Sequence, residues 1–161
     1  MMKYCTKCGQ NLSYQMIEQK QIPYCETCNQ LYFPRYNVAV SMIVRYEDEV
    51  LLIHQYGKPY PILVAGYVNV NETLEEACQR ELKEETNLEA ISIQYLRSSY
   101  YEPSETLMVN FEVMIKNKNV ILNEEVDDAF FYPIKEACIH MKNTSLAYYF
   151  MNEYCQKNNC E

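Results

Sequence analysis

The segment from residue 66 to residue 88 constrains the fold more than any other part of the chain. Thr73, followed three residues later by Glu76, has the form of a capping box and predicts the start of a helix. An apolar stripe at helical spacing follows, formed by Leu74, Ala77, Cys78 and Leu82. Asn87 can adopt the left-handed conformation that ends helices. The sequence therefore predicts a helix over residues 73–86, with one face against a core.

Three carboxylates crowd the second half of that predicted helix. At about 100° per residue, Glu81, Glu84 and Glu85 fall within one sector of the helix surface. They repel each other, and the helix dipole disfavours negative charge at this end. Divalent cations would make the arrangement favourable, because hard cations bind carboxylate oxygens. A solvated acidic face is the alternative, and residue spacing alone leaves both interpretations open.

The wider pattern resembles the signature of the Nudix hydrolases, G-x5-E-x7-R-E-U-x-E-E-x-G-U with U aliphatic. The chain has Gly66, Glu72 and the run from Arg80 to Leu88 at the same spacing, and it departs at one defined position, where Asn87 replaces Gly. Asn tolerates the left-handed conformation that this position requires. The resemblance implies a Nudix fold of the α/β (α+β) class, in which helices sandwich a mixed β-sheet.

The resemblance also implies a role for each matching residue. The structural positions would be Gly66, Glu72 and Asn87, with Glu72 paired to Arg80. The catalytic positions would be Arg80, Glu81, Glu84 and Glu85. Within that set, Glu81 is the candidate group that orients or deprotonates water. The oxygen ligands of Mg²⁺ or Mn²⁺ would come from Glu81, Glu84, Glu85, the carbonyl of Ala65 and an acid in a later loop, for which we choose Glu125.

The remaining sequence predicts a mixed α and β domain behind a small front module. Strands are predicted at residues 38–44, 50–53, 62–70, 91–97, 107–115 and 129–132, and further helices at about 133–141 and 145–156. Mixed strands with a few helices favour an α/β or α+β architecture. We expect a zinc ribbon over residues 1–33 and a Nudix hydrolase domain over residues 34–161.

Two pairs of cysteines define the front module. Cys5 with Cys8 and Cys25 with Cys28 each have two residues between them, and sixteen residues separate the pairs. This spacing predicts a structural zinc ion held by four thiolates, while two disulfides or four unrelated thiols are the alternatives. We expect the ribbon to have a structural or dimer-supporting role. The other cysteines are interpreted as ordinary small apolar residues: Cys78, Cys138, Cys155 and Cys160.

A ribbon directly before a Nudix domain resembles the NADH pyrophosphatase branch of the family. Residues 31–35 and 63–68 fit that branch, while residues 98–108 keep only the ends of its marker sequence. The resemblance implies hydrolysis of the pyrophosphate bond in a nucleoside diphosphate linked to another moiety, such as NADH, NAD or ADP-ribose. The competing function is a Nudix-fold sensor or regulator that binds a nucleotide without hydrolysing it.

Three tyrosines are candidates to bind the substrate by stacking on a nucleobase: Tyr67, Tyr100 and Tyr101. Because the chain has sixteen tyrosines, a core or surface role is the alternative for each of them.

Composition narrows the set of partners. A net charge of −8 disfavours sequence-independent binding to nucleic acid, which needs clustered Lys and Arg. No apolar run approaches the roughly 20 residues that span a bilayer, and the N-terminus lacks the apolar stretch of a signal peptide. We therefore expect a cytoplasmic protein with reduced cysteines, no membrane partner and a small nucleotide as substrate. A homodimer is left open.

Overall fold

A computed structural model describes residues 2–158 of the chain. The chain divides into two compact units, Met1–Tyr36 and Asn37–Glu161. The predicted domain boundary, between residues 33 and 34, lies close to this division. Cys160, interpreted from the sequence as a small apolar residue, lies outside the described residues.

The first unit is built on a three-stranded antiparallel sheet. Its strands are β1 (Ser13–Ile17), β2 (Lys20–Cys25) and β3 (Gln30–Leu31), in the order β1-β2-β3. Glu18 and Gln19 connect β1 to β2 with φ values of 46° and 66°. Two successive positive φ values match the right-handed twist of a tight hairpin, which explains why so short a connection suffices.

The second unit is a six-stranded mixed sheet with three helices. Its strands are β4 (Asn37–Tyr46), β5 (Glu49–Gln55), β6 (Val64–Tyr67), β7 (Ala90–Tyr101), β8 (Thr106–Ile115) and β9 (Val126–Pro133). The helices are α1 (Leu74–Thr86), α2 (Ile134–His140) and α3 (Leu146–Lys157). The strand order is β7-β8-β4-β5-β9, with β6 paired to β4. Strands β4 and β8 run parallel, and the other pairs are antiparallel.

The two faces of this sheet carry separate apolar cores. On one face, α1 packs Ala77, Cys78 and Leu82 into a cluster with Val40 and other strand residues. On the other face, α2 and α3 pack against a second cluster that includes Ile43 of β4. Burying one Leu-sized side chain contributes about 1.5–3 kcal/mol, so the apolar stripe of α1 fixes which side of the helix faces the sheet. The predicted mixed sheet sandwiched by helices is confirmed.

Several strand boundaries differ from the sequence prediction: β4 and β5 are longer, β6 covers only Val64–Tyr67 of the predicted 62–70, and β7 and β9 show two differences that matter for the site. Strand β9 begins at Val126 rather than at residue 129, because its acidic residues pair with β5, with Asp128 opposite His54. Strand β7 continues to Tyr101, because it forms a hairpin with β8 in which Tyr101 lies opposite Thr106. In both cases, pairing with the neighbouring strand extends the strand over residues of weak β-propensity, which are Asp127 and Asp128 in β9 and Ser98 and Ser99 in β7.

No helix among the described residues is long and apolar enough to cross a membrane.

Candidate functional site

The helix α1 has the termini that its sequence predicts. Thr73 is the N-cap, its side-chain oxygen accepts a hydrogen bond from the Glu76 amide at 3.2 Å, and the Thr73 amide donates to Glu76 Oε2 at 2.8 Å. At the other end, Asn87 has φ 58° and its N–H donates to the Lys83 carbonyl. The capping box and the left-handed cap are confirmed, and they fix where the glutamates of α1 lie.

Gly66, at the end of β6, is in close contact with the first of these glutamates. A Cβ atom added to Gly66 would lie 1.9 Å from both Cδ and Oε1 of Glu81. A real side chain there would displace the carboxylate, so this position requires the absence of a Cβ rather than an unusual backbone conformation. Ala65, the residue before it, lies in β6 opposite Ser41.

Arg80 connects the helix to the loop that precedes it. Its Nε and Nη2 atoms donate to the two carboxylate oxygens of Glu72 at 2.6 and 2.9 Å, and Nη2 also donates to the Tyr67 carbonyl at 2.9 Å. Its Nη1 donates to Glu81 Oε1 at 2.6 Å and to Glu84 Oε2 at 3.1 Å. The hydrogen bonds from Arg80, together with one from the Asn69 amide, lower the pKa of Glu72 to about 2.

Glu85 is the most buried of the three glutamates, with 3% of its surface exposed. Its Oε1 accepts a 2.6 Å hydrogen bond from Gln55 Nε2, and its Oε2 has no hydrogen-bond partner among the described residues. Burial raises the pKa of Glu85 to about 7, against the opposing effect of the Gln55 hydrogen bond. Burial also raises the pKa of Glu81, which the hydrogen bond from Arg80 opposes.

Two acidic residues, Glu125 just before β9 and Asp127 within it, lie against a turn that follows β5. The Tyr56 hydroxyl donates to Glu125 Oε2 at 3.4 Å, and the Gly57 amide donates to Asp127 Oδ2 at 2.7 Å. Glu125 is exposed and contributes to raising the pKa values of both Tyr56 and Glu85. The structure therefore brings Glu125 into the electrostatic neighbourhood of the α1 glutamates.

One Gly and two Pro over residues 56–61 predict a loop after β5, and Tyr56 and Gly57 form a turn there with φ values of 55° and 63°. The sequence did not predict Gln55 as a site residue, nor the contacts of this turn with Glu125 and Asp127. Gln55 is a polar residue at the end of an apolar strand, which is the signal that was available. Its contact with Glu85 depends on tertiary packing that no local pattern describes.

The donor set fits a hard divalent cation. Carboxylates and a carbonyl supply only oxygen atoms, which suit Mg²⁺ and Mn²⁺. The buried Oε2 of Glu85 has no hydrogen-bond partner among the described residues, so its lone pairs are available to a cation. These oxygens are not gathered as tightly as metal ligands: within residues 2–158, only the four front cysteines place all their ligand atoms within 4.8 Å of one another. Arg80 Nη1 instead supplies the positive charge next to Glu81 and Glu84.

The structure brings together two of the three candidate substrate tyrosines. A cavity of about 460 Å³ is lined by Ala65, Gly66, Tyr67, Tyr101, Met108 and Phe150, among others. Tyr100 is not among its lining residues, because successive side chains of a strand point to opposite faces. A more open cleft of about 880 Å³ lies beside Arg80, but its lining does not include Glu81, Glu84 or Glu85.

The four front cysteines form a second site. Their sulfur atoms all lie within 4.8 Å of one another, with Cys5 and Cys25 buried. Backbone amides point at two of the sulfurs, from Cys8 to Cys5 Sγ and from Cys28 to Cys25 Sγ, each at 3.4 Å. A hydrogen bond with the Tyr32 hydroxyl, 3.0 Å away, lowers the pKa of Cys5 to about 6. A hydrogen bond with Cys8 raises the pKa of Cys28 to about 12, so the arrangement favours a thiolate at Cys5 but not at Cys28. The four clustered sulfurs fit a tetrahedral metal ion.

None of the described cysteines forms a disulfide, and the residues that follow the two pairs have positive φ values. Gly9 and Asn29, which follow the two pairs, have φ values of 73° and 50°. Cys78 is buried in α1, and burial raises its pKa to about 12, as expected for a packed thiol. The alternative of two disulfides therefore finds no support in residues 2–158.

A sheet sandwiched by helices, with a glutamate-bearing helix packed against a glycine, defines a NUDIX domain. Residues 35–153 match the NUDIX domain family, and the chain belongs to it.

Within the family the chain is similar to NudC-type proteins. The NAD-capped RNA hydrolase NudC of Photorhabdus laumondii subsp. laumondii is 33% identical over 112 residues, which are 68% of this chain and 42% of that protein. The NAD-capped RNA hydrolase NudC of Pseudomonas fluorescens is 24% identical over 155 residues, which are 94% of this chain and 55% of that protein. The chain thus spans about half the length of these curated relatives.

Solved structures share the fold. A NUDIX hydrolase from Nitrosomonas europaea has a TM-score of 0.74 at 20% identity, covering 98% of this chain and 93% of that chain. The NUDIX domain of Shewanella oneidensis NrtR, in complex with ADP ribose, has a TM-score of 0.64 at 17% identity, covering 84% of this chain and 94% of that chain.

Proposed function

We propose that the chain is a metal-dependent pyrophosphohydrolase that cleaves the pyrophosphate bond of a nucleoside diphosphate linked to another moiety, such as NAD, NADH or ADP-ribose. The observation that carries this proposal is the complete carboxylate set of α1. Glu81 lies against Gly66, Glu84 is held by Arg80, and Glu85 keeps one buried oxygen without a partner. The two NudC relatives support it, since both are NAD-capped RNA hydrolases.

The net charge of −8 disfavours only sequence-independent binding to a phosphate backbone. A capped RNA places its diphosphate at one end, so an acidic protein with a local site can act on it. NAD-capped RNA therefore belongs among the substrates to be tested.

Oxygen ligands for Mg²⁺ or Mn²⁺ are assigned to Glu81, Glu84, Glu85, Glu125 and the Ala65 carbonyl. When bound, the cation would offset the charge of the diphosphate and lower the pKa of a bound water. Glu81 is assigned to accept the proton of the attacking water. Burial raises its pKa, which suits a proton acceptor better than a fully solvated carboxylate.

The reaction adds the oxygen of water to one phosphorus and breaks the bond from that phosphorus to the bridging oxygen. One proton of the water passes to Glu81, and two phosphate monoesters are released. Arg80 orients Glu81 and Glu84 and ties both to Glu72 and the loop after β6. This preorganisation places the proton acceptor before the substrate arrives.

The aromatic part of the substrate is assigned to the cavity beside Gly66. Its volume of about 460 Å³ lies within the range of small-molecule sites. Tyr67 and Tyr101 provide faces on which a base can stack. Tyr100 is not among the residues that line this cavity, and its contact with the substrate stays a prediction.

The front cysteines, Cys5, Cys8, Cys25 and Cys28, are assigned to one structural zinc ion. Their closed set of four sulfurs leaves no position for a substrate or water, which supports a structural role. The ribbon and the Nudix hydrolase domain, over residues 1–33 and 34–161, remain the proposed domains.

The hydrolase proposal is tested with a substrate panel. NAD, NADH, ADP-ribose and NAD-capped RNA are incubated with the protein and Mg²⁺ or Mn²⁺, and the monophosphate products are separated. We expect turnover of at least one substrate, and a loss of at least about 100-fold in Glu81→Gln, because a general base contributes about that much. Glu89→Gln, an exposed and nearby substitution of the same kind, should retain wild-type turnover.

The result that would overturn the hydrolase is binding without chemistry. If the protein binds ADP-ribose but turns over no substrate, and Glu81→Gln behaves as the wild type, the chain is a nucleotide-binding sensor or regulator instead.

A further inference from the structure

The pairing of β5 with β9 is irregular at the end of β5. His54 lies opposite Asp128 while Gln55 lies opposite Val126, so Asp127 is an extra residue in β9. Such irregularities locally disrupt the ladder of hydrogen bonds, and they are common next to active sites. Gln55, the last residue of β5, lies at this irregularity and is 8% exposed.

The Gln55 side chain ends on Glu85. Its Nε2 donates to Glu85 Oε1 at 2.6 Å, a short hydrogen bond between two buried groups. With Oε1 held, the carboxylate plane is fixed and Oε2 is the oxygen left without a partner. The bond therefore decides which oxygen of Glu85 faces a ligand.

Residue 55 must carry a donor that is long enough to contact Glu85 and that has no positive charge. A Lys or Arg at this place would also donate to Glu85, but its positive charge would compete with a divalent cation. An amide donates without a net charge, so Gln55 orients the carboxylate and leaves its negative charge available. The next two residues, Tyr56 and Gly57, donate to Glu125, just before β9, and to Asp127, within β9.

We infer that Gln55 is a positioning residue of the metal site, whose amide presents one oxygen of Glu85 to the divalent cation. The inference deepens the proposed function and rests on it for the identity of the site. Gln55 touches neither the substrate nor the cation in this assignment. It acts through Glu85, as outer hydrogen-bond partners of metal ligands do.

The test measures binding of Mn²⁺ alone, without substrate, by electron paramagnetic resonance of the free ion and by calorimetric titration. Gln55→Met keeps the length and burial of the side chain and removes the donor. We expect its dissociation constant for Mn²⁺ to rise about 10-fold or more, in the range seen when such partners are removed. Gln94→Leu, in β7 and outside the site, is the control and should bind Mn²⁺ as the wild type does.

A second variant covers the case in which Gln55→Met does not fold. Gln55→Asn keeps a polar amide but is one methylene shorter, so its donor falls short of Glu85 Oε1. It should show the same weakened Mn²⁺ binding, with a circular dichroism spectrum like that of the wild type. Raising the Mn²⁺ concentration should restore the turnover of either variant, which a purely structural defect would not allow.

The outcomes separate the two proposals. If the wild type binds Mn²⁺ and Glu85→Gln weakens it, while folded Gln55→Met and Gln55→Asn bind within twofold of the wild type, Gln55 is an ordinary core residue and only this inference fails. If the wild type and Glu85→Gln do not differ in Mn²⁺ binding, the metal site itself is wrong, and the proposed function and this inference both fail.

Discussion

The buried carboxyl group of Glu85 has a consequence for stability. Burial raises its pKa from 4.5 to about 7 in the folded chain. Between these two pH values the folded state holds a proton that the unfolded chain releases. The stabilising contribution of the protonated group is therefore fully present below pH 4.5 and is lost as the pH rises through about 7.

We expect Glu85→Gln to remove this pH dependence. In buffer without added Mg²⁺ or Mn²⁺, the free energy of unfolding of the wild type should fall by on the order of 2–3 kcal/mol relative to the variant between pH 4.5 and 7. Urea unfolding at several pH values measures both. Parallel pH profiles for the two proteins would contradict the assignment of a raised pKa to Glu85.

At the scale of single elements, α1 depends on its first turn. Thr73 Oγ1 accepts from the Glu76 amide, and Glu76 in turn accepts from the Thr73 amide, so two otherwise unpaired groups are satisfied together. Thr73→Ala removes the side-chain acceptor and should lower the free energy of unfolding by about 1 kcal/mol. Urea unfolding is the measurement.

Thr73→Ser is the matched control for this prediction, because it keeps the hydroxyl and loses only a methyl group. Its stability should stay near that of the wild type. If Thr73→Ala and Thr73→Ser are equally stable, the capping hydrogen bond does not stabilise α1.

The elements that sequence alone predicted are those whose ends are set by residues nearby in the chain. The start and end of α1 follow from Thr73, Glu76 and Asn87, whose effects extend over only a few residues. The start of β9 and the contact between Gln55 and Glu85 were missed. Both depend on how β5 and β9 pair, and pairing across a sheet joins residues that are far apart in sequence.

In the candidate site, too, some contacts followed from the sequence pattern and others did not. Pairing of Glu72 with Arg80, eight residues apart, was implied by the family pattern and is present in the structure. The second set of Arg80 hydrogen bonds, to Glu81 and Glu84, was not foreseen. It places a guanidinium beside carboxylates that sequence reasoning assigned to cations alone, because spacing shows which residues share a helix face but not which side chain neutralises them.

At the scale of the whole molecule, we expect two kinds of metal with separate roles. Purified protein should carry about one equivalent of zinc, bound by the four front thiolates, whatever the Mg²⁺ or Mn²⁺ content of the buffer. Cys25→Ser should lose that zinc, because Cys25 is one of four sulfurs clustered within 4.8 Å. Elemental analysis after dialysis measures the content.

Cys138→Ser provides the comparison, since Cys138 lies in α2 outside that cluster, and its zinc content should match the wild type. Less than about half an equivalent of zinc in untreated wild-type protein would contradict the assignment.

The parallel pairing of β4 with β8 has a kinetic consequence. It joins Asn37 to Thr106 and Arg45 to Met114, and the whole of α1 lies in the chain between those strands. Closing so long a loop costs conformational entropy before the strand pairing can stabilise it, so this step is slow. We therefore expect the centre of the sheet to form late in folding, with the glutamate helix already enclosed in the loop. A newly made chain should gain its affinity for divalent ions in the same step in which it gains its tertiary structure.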